Sequence, residues 1–149
     1  MIHNDSIWQI EWLKVEAKIA EIEKSLRRSL HPDHPELDKC LELLKDLKSQ
    51  PISPLMLKKQ PEVMRTLHHM CNYVGPVSVK TDKSTAKIGE IRSNSIAIFA
   101  KLEAMFDIPS GQNFMFFFER LLDDFHKTLK GMNPDQVTFM TSDPTLKES

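Results

Sequence analysis

The sequence contains only four glycines and two cysteines, and it has no apolar run longer than FMFFF at 114–118. Two cysteines, Cys40 and Cys71, are too few for a disulfide scaffold, so we expect reduced thiols and an intracellular domain. The apolar run is far shorter than the ~20 residues that a membrane-spanning helix needs. The start MIHNDSIWQIEW lacks the basic residues and apolar stretch of a signal peptide. A net charge of −1 provides no basic field for nucleic acid.

Apolar residues recur at steps of three and four, and almost no segment alternates with period two, which predicts helices throughout. The first predicted helix is capped by Ser6 and buries a stripe from Trp8 to Leu26. We therefore predict an all-α fold, a compact right-handed bundle of about five core helices plus one C-terminal helix. The predicted divisions are a domain at 6–130, a loop at 75–87, a helix at 110–130 capped by Ser110, and a flexible tail at 131–149.

Histidine and cysteine occur in two short groups, but neither group has a familiar metal-binding spacing. The groups are His31, His34 and Cys40, then His68, His69 and Cys71. Cys40 also falls on the apolar stripe of the second predicted helix, so we expect structural roles, no metal and no other cofactor. The sequence has no nucleophile elbow, phosphate-binding glycine loop or paired acid motif, and we therefore expect no enzymatic activity.

Two other surfaces allow more than one interpretation. Lys24, Arg27 and Arg28 are either a weak nucleic-acid site or cations that complement the end of the first helix. Met115 and Phe116 point away from the apolar stripe of the sixth predicted helix. They either pack on a neighbouring helix or form a patch for a partner or for homodimerisation.

Four segments occur in an order that resembles a known family. They are EIEKSL at 21–26, ELDKCLELLKDLKS at 36–49, VMRTLHHMCNY at 63–73 and AIFAKLEAMF at 97–106. Over about residues 15–106 the chain resembles the integrase-binding domain of the lens epithelium-derived growth factor (LEDGF) and hepatoma-derived growth factor-related family, which is similar to the N-terminal domain of transcription elongation factor IIS. The family's separate PWWP module has no counterpart here, so we expect an excised domain.

The resemblance implies an adaptor of a nuclear, chromatin-associated transcription coactivator. Such domains capture disordered segments, typically an acidic stretch followed by a Phe-x-Gly-Phe motif, from transcription regulators or chromatin-modifying enzymes. The resemblance implies a partner-binding cleft between helix ends, formed by five residues: Leu26, Leu30, Asp33, Tyr73 and Val74. Independently, a carboxylate in a turn can accept backbone N–H groups of an extended chain through charge-assisted bonds. Capping of the second helix is the alternative role for Asp33.

The chain departs from the family around this cleft. Its first turn is about four residues longer than expected, and the loop after Tyr73 is about a dozen longer. Glu23 stands where the family often has lysine, and uncharged residues or histidines replace a basic run in the fourth helix. Acidic partners should therefore be steered less strongly, unless Arg27 and Arg28 substitute. These differences favour a cellular partner, in an invertebrate member of the family, over lentiviral integrase.

Overall fold

The computed structural model describes residues 2–76 and 81–145, with side chains described from Ile7 onward. The helices of this part are α1 Ile2–Ser29, α2 Leu37–Ser49, α3 Pro54–Lys59, α4 Glu62–Met70, α5 Asp82–Glu103, α6 Phe114–Leu129 and α7 Pro134–Thr138. No strand occurs within these ranges, and the predicted all-α class is confirmed.

Four helices form a closed ring around the core. α1 packs against α2 and α4, and α5 packs against the same two helices from the other side. One inward stripe from each helix fills the centre, including the fully buried residues Ile19, Leu44, Leu67 and Ile91. The stripes have the spacing of three and four that the sequence shows, because only residues so spaced share one helical face.

The sixth helix is attached to this ring by aromatic packing and by an ion pair. Phe114 lies edge-on to Phe99 of α5, with ring centroids 5.5 Å apart, and Phe118 is fully buried. On the outer side, the Arg65 guanidinium of α4 donates to both carboxylate oxygens of Glu119, at 2.9 and 2.7 Å. This bidentate bond holds the pKa of Glu119 below its ordinary value.

Local capping confirms some predicted helix starts and corrects others. Ser53 caps α3 as predicted, because its hydroxyl accepts from the Met56 amide and Pro54 takes the first helical position. The predicted caps Ser6 and Ser110 are wrong, since α1 already begins at Ile2 and α6 is capped by Asn113.

The fifth helix is longer than predicted and shortens the predicted loop at 75–87. Thr81 caps α5 by accepting from the Ser84 amide, so that Asp82 already begins the helix. The spacing of apolar residues did not predict this first turn, because the turn is polar, exposed and without an apolar stripe. Residues 77–80 of the predicted loop lie outside the described part of the chain.

The segment after Gly131 packs on the bundle up to Thr145, which differs from the predicted flexible tail. It contains α7 and returns to α3, where Lys58 Nζ lies 2.6 Å from the Asp143 carboxylate. Both side chains of this ion pair are buried. Residues 146–149 of the predicted tail lie outside the description. Across the described helices, none has the length and hydropathy to cross a lipid bilayer.

Candidate partner-binding cleft

A cleft of about 300 Å³ opens between the end of α1 and the end of α4. Leu30 forms one wall, and Met70, Tyr73 and Val74 form the other. We call this space the Tyr73 cleft. A second hollow of about 380 Å³ continues from it between α1 and α4, and the two share Leu30, His69 and Met70. Together they form one depression, in which apolar side chains line the Tyr73 cleft and polar or charged side chains surround the second hollow.

Tyr73 is half-buried and presents one part of its ring to the cleft. Its backbone makes two hydrogen bonds: the amide donates to Met70 O at 3.2 Å, and the carbonyl accepts from the Arg92 guanidinium at 2.9 Å. The hydroxyl is buried and has no hydrogen-bond partner in the described part of the chain. Burial raises the pKa of this phenol, and nearby Cys40 adds to the effect. The ring is therefore a fixed apolar wall.

The turn after Tyr73 depends on a glycine. Gly75 has a φ of +76°, a conformation that side chains other than glycine rarely adopt. A Cβ at this position would lie 2.4 Å from Cδ1 of Ile88, so space is lacking as well. The close packing on α5 leaves Val74 facing outward at the cleft edge, with 76% of the residue exposed.

Asp33 lies in the α1–α2 loop with its carboxylate open to solvent. Its side chain is 79% exposed, and His31 Nδ1 lies 3.9 Å from the carboxylate. Among the described residues, none donates a hydrogen bond to this carboxylate. The alternative role as a helix cap is excluded here, because Glu36 occupies the N-cap position of α2. Asp33 does not line the Tyr73 cleft itself but follows Leu30, which does.

The loop that carries Asp33 is anchored at both ends. Glu36 donates its amide to Ser29 O at 2.6 Å, which ties the start of α2 to the end of α1. Inside the loop, the His34 amide donates to His31 O, and the two imidazole rings stack at 6.4 Å. The Asp33 amide also donates to His31 Nδ1 at 3.2 Å, so the loop holds the Asp33 backbone while its carboxylate stays exposed.

Two of the predicted contact residues have different surroundings from those expected. Leu26 is fully buried in the core and offers no surface to a partner. Arg27 is bound to Glu23, whose carboxylate accepts from Arg27 Nε at 2.5 Å and from the Thr66 hydroxyl at 2.7 Å. Because Glu23 is buried, most of the positive charge of Arg27 is already neutralised. Lys24 and Arg28 stay exposed and form a small basic surface.

Met70 and His69 line the depression but were not identified as contact residues from the sequence. Met70 lies on the inward stripe of α4 and is almost fully buried, although its edge also forms the cleft wall. Thioether side chains adapt to different apolar ligands, which suits a wall of this kind. The position of Met70 at the last turn of α4, next to Tyr73, is the one pattern that could have indicated it.

The second predicted surface, on α6, is divided by the packing. Met115 is half-buried and packs against the core, whereas Phe116 is 62% exposed. The Arg120 guanidinium lies 5.8 Å from the centre of the Phe116 ring. Only Phe116 is therefore available to a second molecule.

The thiols and histidines do not form a reactive or metal-binding group within the described residues. Burial raises the pKa of the Cys40 thiol to about 11, which keeps it protonated at neutral pH. Burial also raises the pKa of Cys71. No set of three or more His, Cys, Asp or Glu side chains is arranged to hold a metal ion in these ranges.

Comparison with known protein families matches residues 16–128 to the lens epithelium-derived growth factor (LEDGF) family. The chain belongs to this family. The sequence segments showed the resemblance over about residues 15–106, whereas the family match continues to residue 128 and includes nearly all of α6. Comparisons with curated proteins and with solved structures found no match.

Membership in the LEDGF family identifies the helical bundle as an adaptor-type domain of chromatin-associated proteins. Domains of this family bind other proteins and are not catalytic. The Tyr73 cleft and the exposed Asp33 lie on the two interhelical loops at one end of this bundle. They are the candidate binding surface of the LEDGF domain.

Proposed function

We propose that this LEDGF domain captures short disordered segments of nuclear partners, placing a phenylalanine side chain in the Tyr73 cleft. Partners of this kind are transcription regulators or chromatin-modifying enzymes that carry an acidic stretch and a Phe-x-Gly-Phe motif. The domain would then tether them to chromatin within a transcription coactivator in the nucleus. The cleft volume of about 300 Å³ supports a single aromatic anchor, since it is at the lower end of the range for ligand pockets.

The observation that carries the proposal is the unoccupied hydrogen-bonding capacity of Asp33 beside an apolar cleft. A carboxylate in this position can accept the backbone N–H groups of an extended chain while Leu30 and Tyr73 enclose the neighbouring side chain. A disordered partner loses conformational freedom on binding, so the affinity should be modest. Arg28 and Lys24 supply the remaining positive charge near the acidic part of the partner.

The proposal is tested by titrating the labelled protein with an acidic Phe-x-Gly-Phe peptide and following its amide resonances by NMR. Shifts should cluster at Leu30, Asp33 and Val74, and a peptide with alanine for both phenylalanines should produce none. Asp33→Asn should weaken binding by about tenfold or more, because hydrogen bonds to charged groups contribute roughly 1.5–3 kcal/mol.

Asp38→Asn is the matched control for this substitution. Asp38 is also an exposed carboxylate near the start of α2, but it pairs with Lys87 at 2.9 Å and lies outside the cleft. Val74→Asp tests the apolar edge, and it is preferable to Tyr73→Ala because Tyr73 packs on the core. Equal affinity of Asp33→Asn and the unmodified protein would refute the role of the carboxylate.

A second candidate function, homodimerisation through α6, is supported by the exposure of Phe116. Large exposed aromatic side chains are typical of interfaces. Phe116→Glu should convert a dimer into a monomer in sedimentation equilibrium. It leaves Met115 in its packed position, so folding should be retained. A monomeric mass for the unmodified protein would exclude this function.

A further inference from the structure

A second apolar groove, of about 480 Å³, lies at the opposite end of α1 from the Tyr73 cleft. It runs between α1, the start of α3, the end of α5 and α6. We call it the tryptophan groove and define it by its apolar walls: Trp8, Trp12, Met105, Phe106, Phe117 and Leu121. Trp8 and Leu30 are separated along α1 by about 33 Å at a rise of ~1.5 Å per residue. The groove is therefore independent of the cleft.

The walls of the tryptophan groove, apart from the buried Trp12, are at least partly open to solvent. Trp8 is 55% exposed and forms the outer part of the α1 wall. Phe117 and Leu121 of α6 are half-buried and form the facing wall. A contiguous apolar surface of this kind marks an interaction site more often than a single exposed residue does. Tryptophan is also the residue type most enriched among energetically dominant interface contacts.

The charge at the rim of the groove is acidic. Lys58 and Asp143 line it, but they neutralise each other in a buried ion pair at 2.6 Å. Asp107 lies in the α5–α6 loop, is exposed, and forms no ion pair with any described residue. The uncompensated charge at the rim is therefore negative, and it favours a cation on the occupant.

Aromatic faces at this end of the bundle already accept cations from within the chain. Lys59 Nζ lies 5.2 Å from the Trp12 ring centre, and Lys58 Nζ lies 5.7 Å from that of Phe125. The half-exposed Trp8 ring is the remaining tryptophan face in the groove, and tryptophan is the strongest cation–π acceptor among the side chains.

We propose that the tryptophan groove binds a basic, apolar segment of a partner protein. Large apolar side chains of that segment occupy the groove, while an arginine or lysine lies between Asp107 and the Trp8 ring. Its charge is opposite to that of the acidic segment assigned to the Tyr73 cleft. Because the two sites are at opposite ends of α1, the domain holds both kinds of segment at once and links their parent proteins.

Intrinsic fluorescence reports directly on this groove, because the chain has two tryptophans and both line it. The probe is a short amphipathic peptide with leucines at i, i+3, i+4 and i+7 and arginines beside them, without tryptophan or tyrosine. We expect a saturable blue shift of emission as the Trp8 ring leaves water. A charge-reversed peptide, with glutamate for each arginine, should bind at least about tenfold more weakly.

Three variants of the full chain separate the contributions. Trp8→Ala should weaken binding at least about tenfold, read from the remaining Trp12 emission, as expected for a central aromatic contact. Asp107→Asn should weaken it about two- to fivefold at low salt, the effect of one exposed ion pair. Ile96→Ala, which removes an exposed apolar side chain of α5 outside the groove, is the control and should bind normally.

The proposal is overturned by a peptide titration without a saturable shift, or by equal shifts with the basic and acidic peptides. It is also overturned if emission shifts with protein concentration alone while the sedimenting mass doubles, because the occupant is then a second copy of the chain. Neither result would affect the NMR titration at the Tyr73 cleft, whose probes lie at the other end of α1.

Discussion

Lys59→Met should destabilise the fold strongly, although nothing in the sequence distinguishes Lys59 from an ordinary surface lysine. Lys59 Nζ donates to Thr138 O at 2.9 Å and to Met140 O at 2.8 Å, and it lies 2.8 Å from Glu16 Oε1. The side chains of Lys59 and Glu16 are only 4% and 9% exposed. One largely buried ammonium group therefore joins α3, α1, the end of α7 and the residues that follow it.

The size of the effect follows from what remains after the substitution. Glu16 stays buried with Gln60 as its hydrogen-bond donor, at 2.8 Å, and without a positive charge. Removal of one partner of a buried ion pair costs about 3–5 kcal/mol, because the other charge is left uncompensated. For a domain of this size, each kcal/mol corresponds to about 2–4 °C in Tm, so a decrease of roughly 6–20 °C is expected.

The assay is urea denaturation followed by far-ultraviolet circular dichroism and by tryptophan fluorescence, to which Trp12, the ring that Lys59 covers, contributes. Glu16→Leu combined with Lys59→Met replaces the pair by apolar groups and should recover much of the loss, because such replacements are often neutral. The control is Lys14→Met, which removes an exposed lysine from the same helix as Glu16. A cost below about 1 kcal/mol for Lys59→Met, or a double variant whose cost equals the sum of the single ones, would refute the reasoning.

Three further predictions test separate parts of the structure. Gly75→Ala should lower the free energy of unfolding by at least about 1–2 kcal/mol from the left-handed backbone alone, and the clash with Ile88 adds to this; equal urea midpoints would contradict it. The Cys40 thiol should react slowly with Ellman's reagent at pH 8 in the native protein and rapidly in denaturant, because it is buried and its pKa is raised to about 11, whereas the partly buried Cys71 should react sooner; fast native labelling of both thiols would contradict this. Burial opposes the charge on Asp143, but hydrogen bonds from Lys58 and from the turn hold its pKa below the ordinary value. Its contribution to stability is therefore present at neutral pH and lost as the pH falls below about 4. In Asp143→Asn, the free energy of unfolding measured in urea should therefore decrease less between neutral pH and pH 3. The same decrease in both proteins would contradict this prediction.

Most, but not all, of the candidate site residues assigned from the sequence lie at the surface of the cleft or beside it. Leu30, Tyr73 and Val74 were assigned to one surface from the resemblance, and they do line one cleft. Asp33 was expected in a turn, and it lies in the α1–α2 loop with its carboxylate exposed. Leu26 was assigned to the partner-binding residues, but packing of α1 against its neighbours leaves it only 1% exposed.

The basic segment at the end of α1 was harder to interpret. From the sequence, Arg27 was interpreted as an exposed, unpaired cation. Its partner Glu23 is one helical turn away, which a pattern analysis can detect, but the burial of Glu23 depends on Thr66 of α4. Only the docking of α4 on α1 makes this pair a structural contact and leaves Arg28 and Lys24 as the exposed cations.

Local spacing of apolar residues was sufficient to establish the helical class, most of the core stripes and the approximate helix boundaries, because backbone geometry alone determines which positions share a face. Docking of distant segments determined which charged groups are buried. Glu16 meets a donor 44 residues away in Gln60, and Lys58 meets Asp143 across 85 residues. The tryptophan groove arises in the same way, from four helices and the segment after α7. Such partners are unrelated in sequence spacing, and their pairing exists only after the chain has packed.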